Sequence, residues 1–521
     1  MSLFPMSSGQ TRVRLVKAGA GFLAAALVAG CGAGYRPVVT PINPSGPPQQ
    51  PTSLAIVVSS PSPTSPGIAT ILDYAGDTIM ALAPIGPGPL AFTVDGTGST
   101  GYTVNSDGTL TNFPVSTSLQ EKNITYSTLP TNSQPYGLFS PSAGLWAADL
   151  SGNIVDVLTG SPETFKLAIP VAPTPTLVVG SSVIGQRNYS ISLNSSTTAP
   201  ADVIPYGVDC NVAPALVSQN GEADALEITS YTVSARIPLG KCPVYGVQSN
   251  DGKRLFILNR GSDTISVINA QNNTLDQCTP FTNQNGQTVT CHPTLPLSTT
   301  AVANTGITPP NGTAGMGAIA GPVYAEFNQT TSQLVVADYD GGTISVIDVS
   351  LDEYGNDSQT FGTTFTIKVG NTATPFPAGV TVLYDGSRAY TANQGDDGGT
   401  GNGTVTVVNL SSHTVEKTLA VVGHPRTVVS TSNSLYGKVY VASPDSTYVT
   451  IVRTDQDIVD TTVLVQGNVV DVRTSTQNGV SGNATVNSRR PGAGQPCYLP
   501  PNLEPAPTGT QTALQVCQTL P

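Results

Sequence analysis

Charge is scarce in this chain. Asp, Glu, Lys and Arg make up only 10% of its 521 residues, and acids outnumber bases by 33 to 21. No basic cluster offsets that balance, so there is no electrostatic footprint for nucleic acid. Histidine is scarcer, with three residues: His292, His413 and His424. That is too few for a copper or zinc centre built from several imidazoles. No Cys-x-x-Cys spacing occurs, which argues against structural zinc. No Gly-x-Ser-x-Gly elbow, P-loop or dinucleotide fingerprint is present. Long helices are missing as well, since no segment keeps a helical period between caps. The one tryptophan, Trp146 in "GLWAADL", reads as packing between strands.

Glycine and proline, by contrast, are plentiful at 53 and 43 residues. With 39% hydrophobic residues, the chain can bury a large core. Such a composition suits many short strands joined by turns.

The N-terminus reads as a targeting segment, residues 1–30. Arg12, Arg14 and Lys17 precede an apolar run, "AGAGFLAAALVAG" at 18–30, too short to span a bilayer as a typical helix. It ends in Val28-Ala29-Gly30-Cys31, which resembles a bacterial lipobox. That resemblance implies lipidation of Cys31. Gly32 rather than an aspartate follows, which favours the outer membrane. No later stretch reaches 18 apolar residues, so the lipid would be the one anchor. Removal of residues 1–30 loses three cations and no anion, taking the formal net charge from −12 to −15. Residues 31–53 form a Pro/Gly-rich linker, which at roughly 3.1 Å per residue could hold a domain up to ~60 Å from the membrane.

Six further cysteines suit an exported protein with disulfides. Sequence leaves fifteen pairings open. Nearest neighbours are the expected pairs: Cys210–Cys242, Cys278–Cys291 and Cys497–Cys517, each flanking or closing an irregular insertion.

The phrase "GSDTISVIN" at 261–269 recurs as "GGTISVID" at 341–348 and "NGTVTVVN" at 402–409, with weaker copies at 76–82, 107–113, 151–158 and 446–453. Each copy is a polar turn followed by β-branched residues. Most follow a strand-like run such as "RLFILN", "QLVVAD", "RAYTAN" or "KVYVAS". An earlier strand and a later one ending in a Gly or Pro step complete a four-strand unit. Four strands recurring at roughly 40–50 residues indicate the blades of a β-propeller. Inner strands are expected near 89, 135, 175, 243, 321, 378, 425 and 468. The first unit lacks its own, so "NVVDVRTS" at 468–475 is expected to complete it and close a ring of seven to eight blades. The propeller would occupy 54–475, with insertions near 188–220 and 277–318, and 476–521 would form an irregular tail.

Leu258-Asn259 with Thr264 to Asn269, and Tyr390 to Asn393 with Thr404 to Asn409 and Val422-Gly423-His424-Pro425, resemble the YVTN-type propeller repeats of bacterial and archaeal surface proteins. The resemblance holds over about 243–475 and fades over 54–240. It implies a secreted or surface-displayed propeller, but no single activity. The chain is also similar to lactonase-type propellers.

Asp263, Asp340 and Asn402 read as turn formers. "NQGDDGGTGNG" at 393–403 offers Asp396 and Asp397 as oxygen ligands, but it lacks the spacing of a calcium loop. Arg260, Arg388 and Glu326 could converge at the axial channel of a hydrolase. Arg260 stands where later units carry Tyr339 and Gln394, a variable position at which specificity could reside. The reading carried forward is a lipid-anchored, non-catalytic binding or assembly scaffold without cofactor or metal, meeting a protein or glycan through its loops. The alternative is a lactonase-like hydrolase of a small sugar-derived ester.

Overall fold

In the computed structural model, the described residues are 53–475 other than 63, 141–143, 182–186, 205–218, 298–319, 329, 400 and 432–436. Helix among them is confined to three short 3-10 turns, Glu121–Asn123, Pro200–Asp202 and Arg260–Ser262. Everything else regular is strand, organised, apart from one two-stranded hairpin, as eight antiparallel sheets of four strands, the outer strand of one being split in two. These are the blades of a propeller, which resolves the count of seven or eight.

Blade 1 is assembled from both ends of the described chain. Its inner strand is Asn468–Thr474, followed outward by Leu54–Ser60, Pro66–Asp73 and Ile79–Pro87. The closing register pairs Ala55 with Thr474, Val57 with Val472 and Ser60 with Asn468, with a bulge between Val58 and Ser59. "SLAIVVSS" is therefore the second strand, and the C-terminal strand takes the axis.

Blades 2 to 8 begin with inner strands Ala91–Val94, Pro135–Phe139, Pro175–Ser181, Pro243–Gln248, Pro322–Asn328, Pro377–Val382 and Thr427–Ser430. Each inner strand packs against those of the blades before and after it, round to Asn468–Thr474. Middle strands such as Arg254–Asn259 are buried at every residue. Burial on both faces is why they read as continuous apolar runs. Outer strands such as Thr232–Pro238 alternate instead.

The apolar cores lie between consecutive blades. Val57 and Val472 of blade 1 share one with Tyr440 and Ile451 of blade 8. Tyr245 of blade 5 shares another with Tyr324 of blade 6 and Val380 of blade 7.

Two irregularities differ from the expected boundaries. Arg187–Ser192 is the second strand of blade 4, so the first insertion begins after Ser192 and not at 188. In blade 5 the outer strand is split: Thr274–Leu275 and Thr294–Pro296 both pair with Thr264–Asn269. Between them a hairpin, Phe281–Thr282 with Thr288–Val289, projects from the blade. Cys278 and Cys291 form a disulfide at its base. Cys242 is buried and disulfide-bonded. Its expected partner Cys210 lies outside the described residues. So do Cys31, Cys497, Cys517, the targeting segment and the tail after 475.

Candidate functional site

A repeated clasp joins the second and third strands at one end of the blades. In blade 7 the Asn393 amide donates to Thr404 at 3.0 Å and Thr406 at 2.8 Å. In blade 5 Asn259 donates to Thr264 and Ser266, and in blade 2 Asn105 donates to Thr109 and Thr111. The same hydroxyls receive the backbone of the segment leading into the blade: the Gly370 N–H donates to Thr406 and that of Gly86 to Thr111, both at 3.0 Å. This explains why Asn and Thr-x-Ser/Thr recur together. An isolated buried amide or hydroxyl would be costly, and paired they lock blade to loop.

The turn acids complete the lock. Asp149 accepts the N–H of Gln134, and Asp445 those of His424 and, through the ring, its Nδ1–H. Asp396 accepts the N–H groups of Asn371 and Thr372, both at 2.7 Å. Asp397 accepts that of Gly399. Both oxygens of Asp396 and one of Asp397 are thus engaged by protein donors. Among the described residues, no group of three or more His, Cys, Asp or Glu side chains is placed to hold a metal ion.

Neighbouring blades are joined by ion pairs. Arg388, first in the second strand of blade 7, pairs with Asp457 in the last turn of blade 8, and Tyr390 donates to the same carboxylate. Lys438 in the equivalent place of blade 8 pairs with Asp77 of blade 1. Arg254 of blade 5 reaches Asp357 of blade 6 at 3.3 Å. Arg260 joins the same two blades at the other end. Its Nε and Nη2 each lie 2.7 Å from an oxygen of Asp340, and its guanidinium sits 5.4 Å over the Tyr339 ring. Arg260 is 1% exposed. Its expected place at a variable loop surface is therefore corrected: the side chain is an inter-blade latch. Tyr339, at the matching position of blade 6, stacks on Phe376 of blade 7 in the same way.

The proposed channel residues do not converge. Arg260 and Arg388 are committed to Asp340 and Asp457. Glu326, on the inner strand of blade 6, accepts the Val382 N–H at 3.3 Å. Asp471 and Arg473 of the closing strand pair with each other at 3.0 Å. The inner strands of blades 2, 3, 5 and 6 are buried at every residue. Trp146 packs in the core against Val155 and Leu177, as expected.

One assembly escaped the sequence reading. The hairpin of blade 5 packs on the 351–362 segment of blade 6. His292 sets its backbone N–H at 3.0 Å and its Nδ1 at 2.8 Å from one oxygen of Asp357. Arg254 bonds both Asp357 and Asp276, each at 3.3 Å. Burial pushes the Asp357 carboxyl up to about 6, against the lowering effect of the His292 bond. His292 also stacks on Phe361. Phe281 and Tyr354 are exposed on the paired segments. Arg254, Asp276 and Asp357 are over twenty residues apart at the least, and only the adjacency of Cys291 and His292 hinted at this centre.

The class defined by this architecture is the eight-bladed β-propeller. No protein-family model matches the chain, and no curated protein matches it. Solved structures similar to it are propellers as well. Apo AztD from Citrobacter koseri is 11% identical over 81% of this chain and 97% of its own, with a TM-score of 0.51. The dihydro-heme d1 dehydrogenase NirN is 14% identical over 83% of this chain and 78% of its own, with a TM-score of 0.50. The periplasmic gluconolactonase PpgL of Pseudomonas aeruginosa is 13% identical over 81% and 98%, with a TM-score of 0.45. At these identities the likeness is one of fold alone.

Proposed function

We propose that the chain is a YVTN-type propeller serving as a non-catalytic binding or assembly scaffold, held to the cell envelope by a lipid on Cys31. The observation that carries the reading is the fate of its chemistry-bearing side chains. Arg260, Arg388, Glu326, Asp396 and Asp445 each serve a strand or blade contact, and the inner strands of blades 2, 3, 5 and 6 are buried at every residue. Such a ring presents loops and insertions to a partner, and the joined segments of blades 5 and 6 with Phe281 and Tyr354 are the most elaborated of these. A protein or a glycan suits that mixed aromatic and polar surface.

The alternative, a lactonase-like hydrolase, needs converging carboxylates at the axis, and Glu326 and Asp471 are instead locally bonded. Purified protein should show no stoichiometric metal by elemental analysis and no turnover of sugar lactones. Lactone hydrolysis that is lost in Glu326→Gln would overturn the scaffold reading. For the anchor, Cys31→Ser should move the protein from the membrane fraction to the soluble one. Retention in the membrane would refute lipid attachment.

A further inference from the structure

Three blades break the clasp pattern in the same chemical direction. Where blades 2, 5 and 7 use an Asn with Thr or Ser, blade 3 sets Asp149 opposite Ile154, at the Asn position, and Asp156 opposite Ala147, at the Thr/Ser position. Blade 4 sets Asp224 at the third-strand position, and blade 6 sets Asp338 where Asn stands elsewhere. All four carboxyl groups are 0% exposed.

Among the described residues no Lys or Arg hydrogen-bonds these four carboxyls, and the one ion pair they make is the long contact of Asp224 with Arg236. Asp149 accepts Gln134 and Ser151 through Oδ1, while its Oδ2 and both oxygens of Asp156 lack a donor. The two side chains lie within bonding reach of each other. Asp224 accepts the Ala172 N–H at 2.6 Å through Oδ2 and leaves Oδ1 without a hydrogen bond. Glu222 faces it from its own strand, and the half-exposed Arg236 stands 3.9 Å away while bonding Glu222 at 3.2 Å. Asp338 accepts Ser345 and Thr343 through Oδ2, with Oδ1 unbonded. Asp263 and Asp340 face it across the turn, and Asp340 holds the nearby Arg260.

We propose that blades 3, 4 and 6 hold a protonated carboxylic acid where other blades hold an amide or hydroxyl, so that the ring is firmest in mildly acidic surroundings and loosens through neutral pH. A neutral carboxyl is close in shape to an amide and, like it, both donates and accepts. Deprotonation would leave a buried anion with no hydrogen-bonded cation beside it. On Asp156 the proton can be donated to the unbonded Asp149 Oδ2. Burial is the largest cause pushing Asp156, Asp224 and Asp338 up to about 7 each, from an ordinary 3.8. The folded form thus binds protons more tightly than the unfolded one. The contribution is complete below about pH 4 and is lost as pH rises through about 7. Asp357 acts in the same sense. His413, lowered by burial, acts in the opposite sense below its ordinary value. Glu227 and Asp455, lowered by Arg187 and Arg453, lose their contribution only in stronger acid.

The test is thermal unfolding of the full chain at pH 5, 6, 7 and 8. Tm should fall by roughly 5–10 °C from pH 5 to pH 8. The variant Asp156→Thr with Asp338→Asn, which restores the residues of the other blades, should flatten that slope and exceed the wild type at pH 8. A wild-type Tm that is flat or rises with pH would overturn the proposal. A readout that does not depend on the variant folding is the infrared band of a neutral carboxyl group, expected in the wild-type protein at pH 6. Its absence there would overturn the proposal as well.

Discussion

A chain ended at Gly467 is expected to lose its cooperative unfolding transition and to aggregate, whereas a chain ended at Ser475 keeps it. The shorter chain lacks Asn468–Thr474, the innermost strand of blade 1. That strand buries Val469, Val470 and Val472, each at 2% exposure or less. At ~1.5–3 kcal/mol for each fully buried aliphatic side chain, their loss alone approaches the whole stability of many domains. The polar losses add to it. Arg426 Nη2 donates to the Val470 carbonyl at 2.8 Å, and Thr474 Oγ1 donates to that of Ser430. The Leu54 N–H donates to Ser475 Oγ at 2.9 Å. Removing them unfastens blade 8 from blade 1 and bares the edge of Leu54–Ser60, an all-buried apolar strand that would pair with other chains. Circular dichroism melts and size-exclusion profiles of the two truncations decide the matter. A Gly467 truncation that melts with the Tm of the Ser475 chain would show that the closing strand is dispensable.

That closure was legible in the sequence because punctuation survives divergence. The inner strands begin with a proline in five blades, Pro135, Pro175, Pro243, Pro322 and Pro377. The eight expected starts fall within two residues of the observed ones. Legibility ended where partners are distant in sequence. The repeat marks Asn259, Thr264 and Ser266 as a unit because they lie within a few residues of one another. It says nothing of Asp340, eighty residues beyond Arg260. The split outer strand of blade 5 was hidden for a related reason. Two-residue and three-residue strands carry no periodicity, so the segment between them read as one long insertion. The acid clasps were visible letter by letter, since Asp156 and Asp338 stand where other units have Thr and Asn. Their burial was not, because a polar residue at a strand end reads equally as a turn.

Arg260 is where the two readings of this molecule give opposite results. If it were an exposed specificity residue, Arg260→Ala would leave stability unchanged and reduce binding. The structure predicts the reverse: a loss of stability. The guanidinium is buried and held by two 2.7 Å bonds in the fork geometry that only arginine offers a carboxylate. Removing one member of such a pair costs about 3–5 kcal/mol, because the remaining charge has lost its counter-ion. Here that charge is Asp340, with Asp338 and Asp263 close by, so three acids would face one another without the cation. The expected fall in Tm is roughly 3–6 °C. Arg260→Lys should recover less than half of it, since an ammonium cannot bond both oxygens and sit over Tyr339 at once. Arg260→Ala with Asp340→Asn should be more stable than Arg260→Ala alone, the signature of a direct pair in a double-mutant cycle. Equal melting of Arg260→Ala and wild type would return the residue to the surface role its place in the repeat suggests.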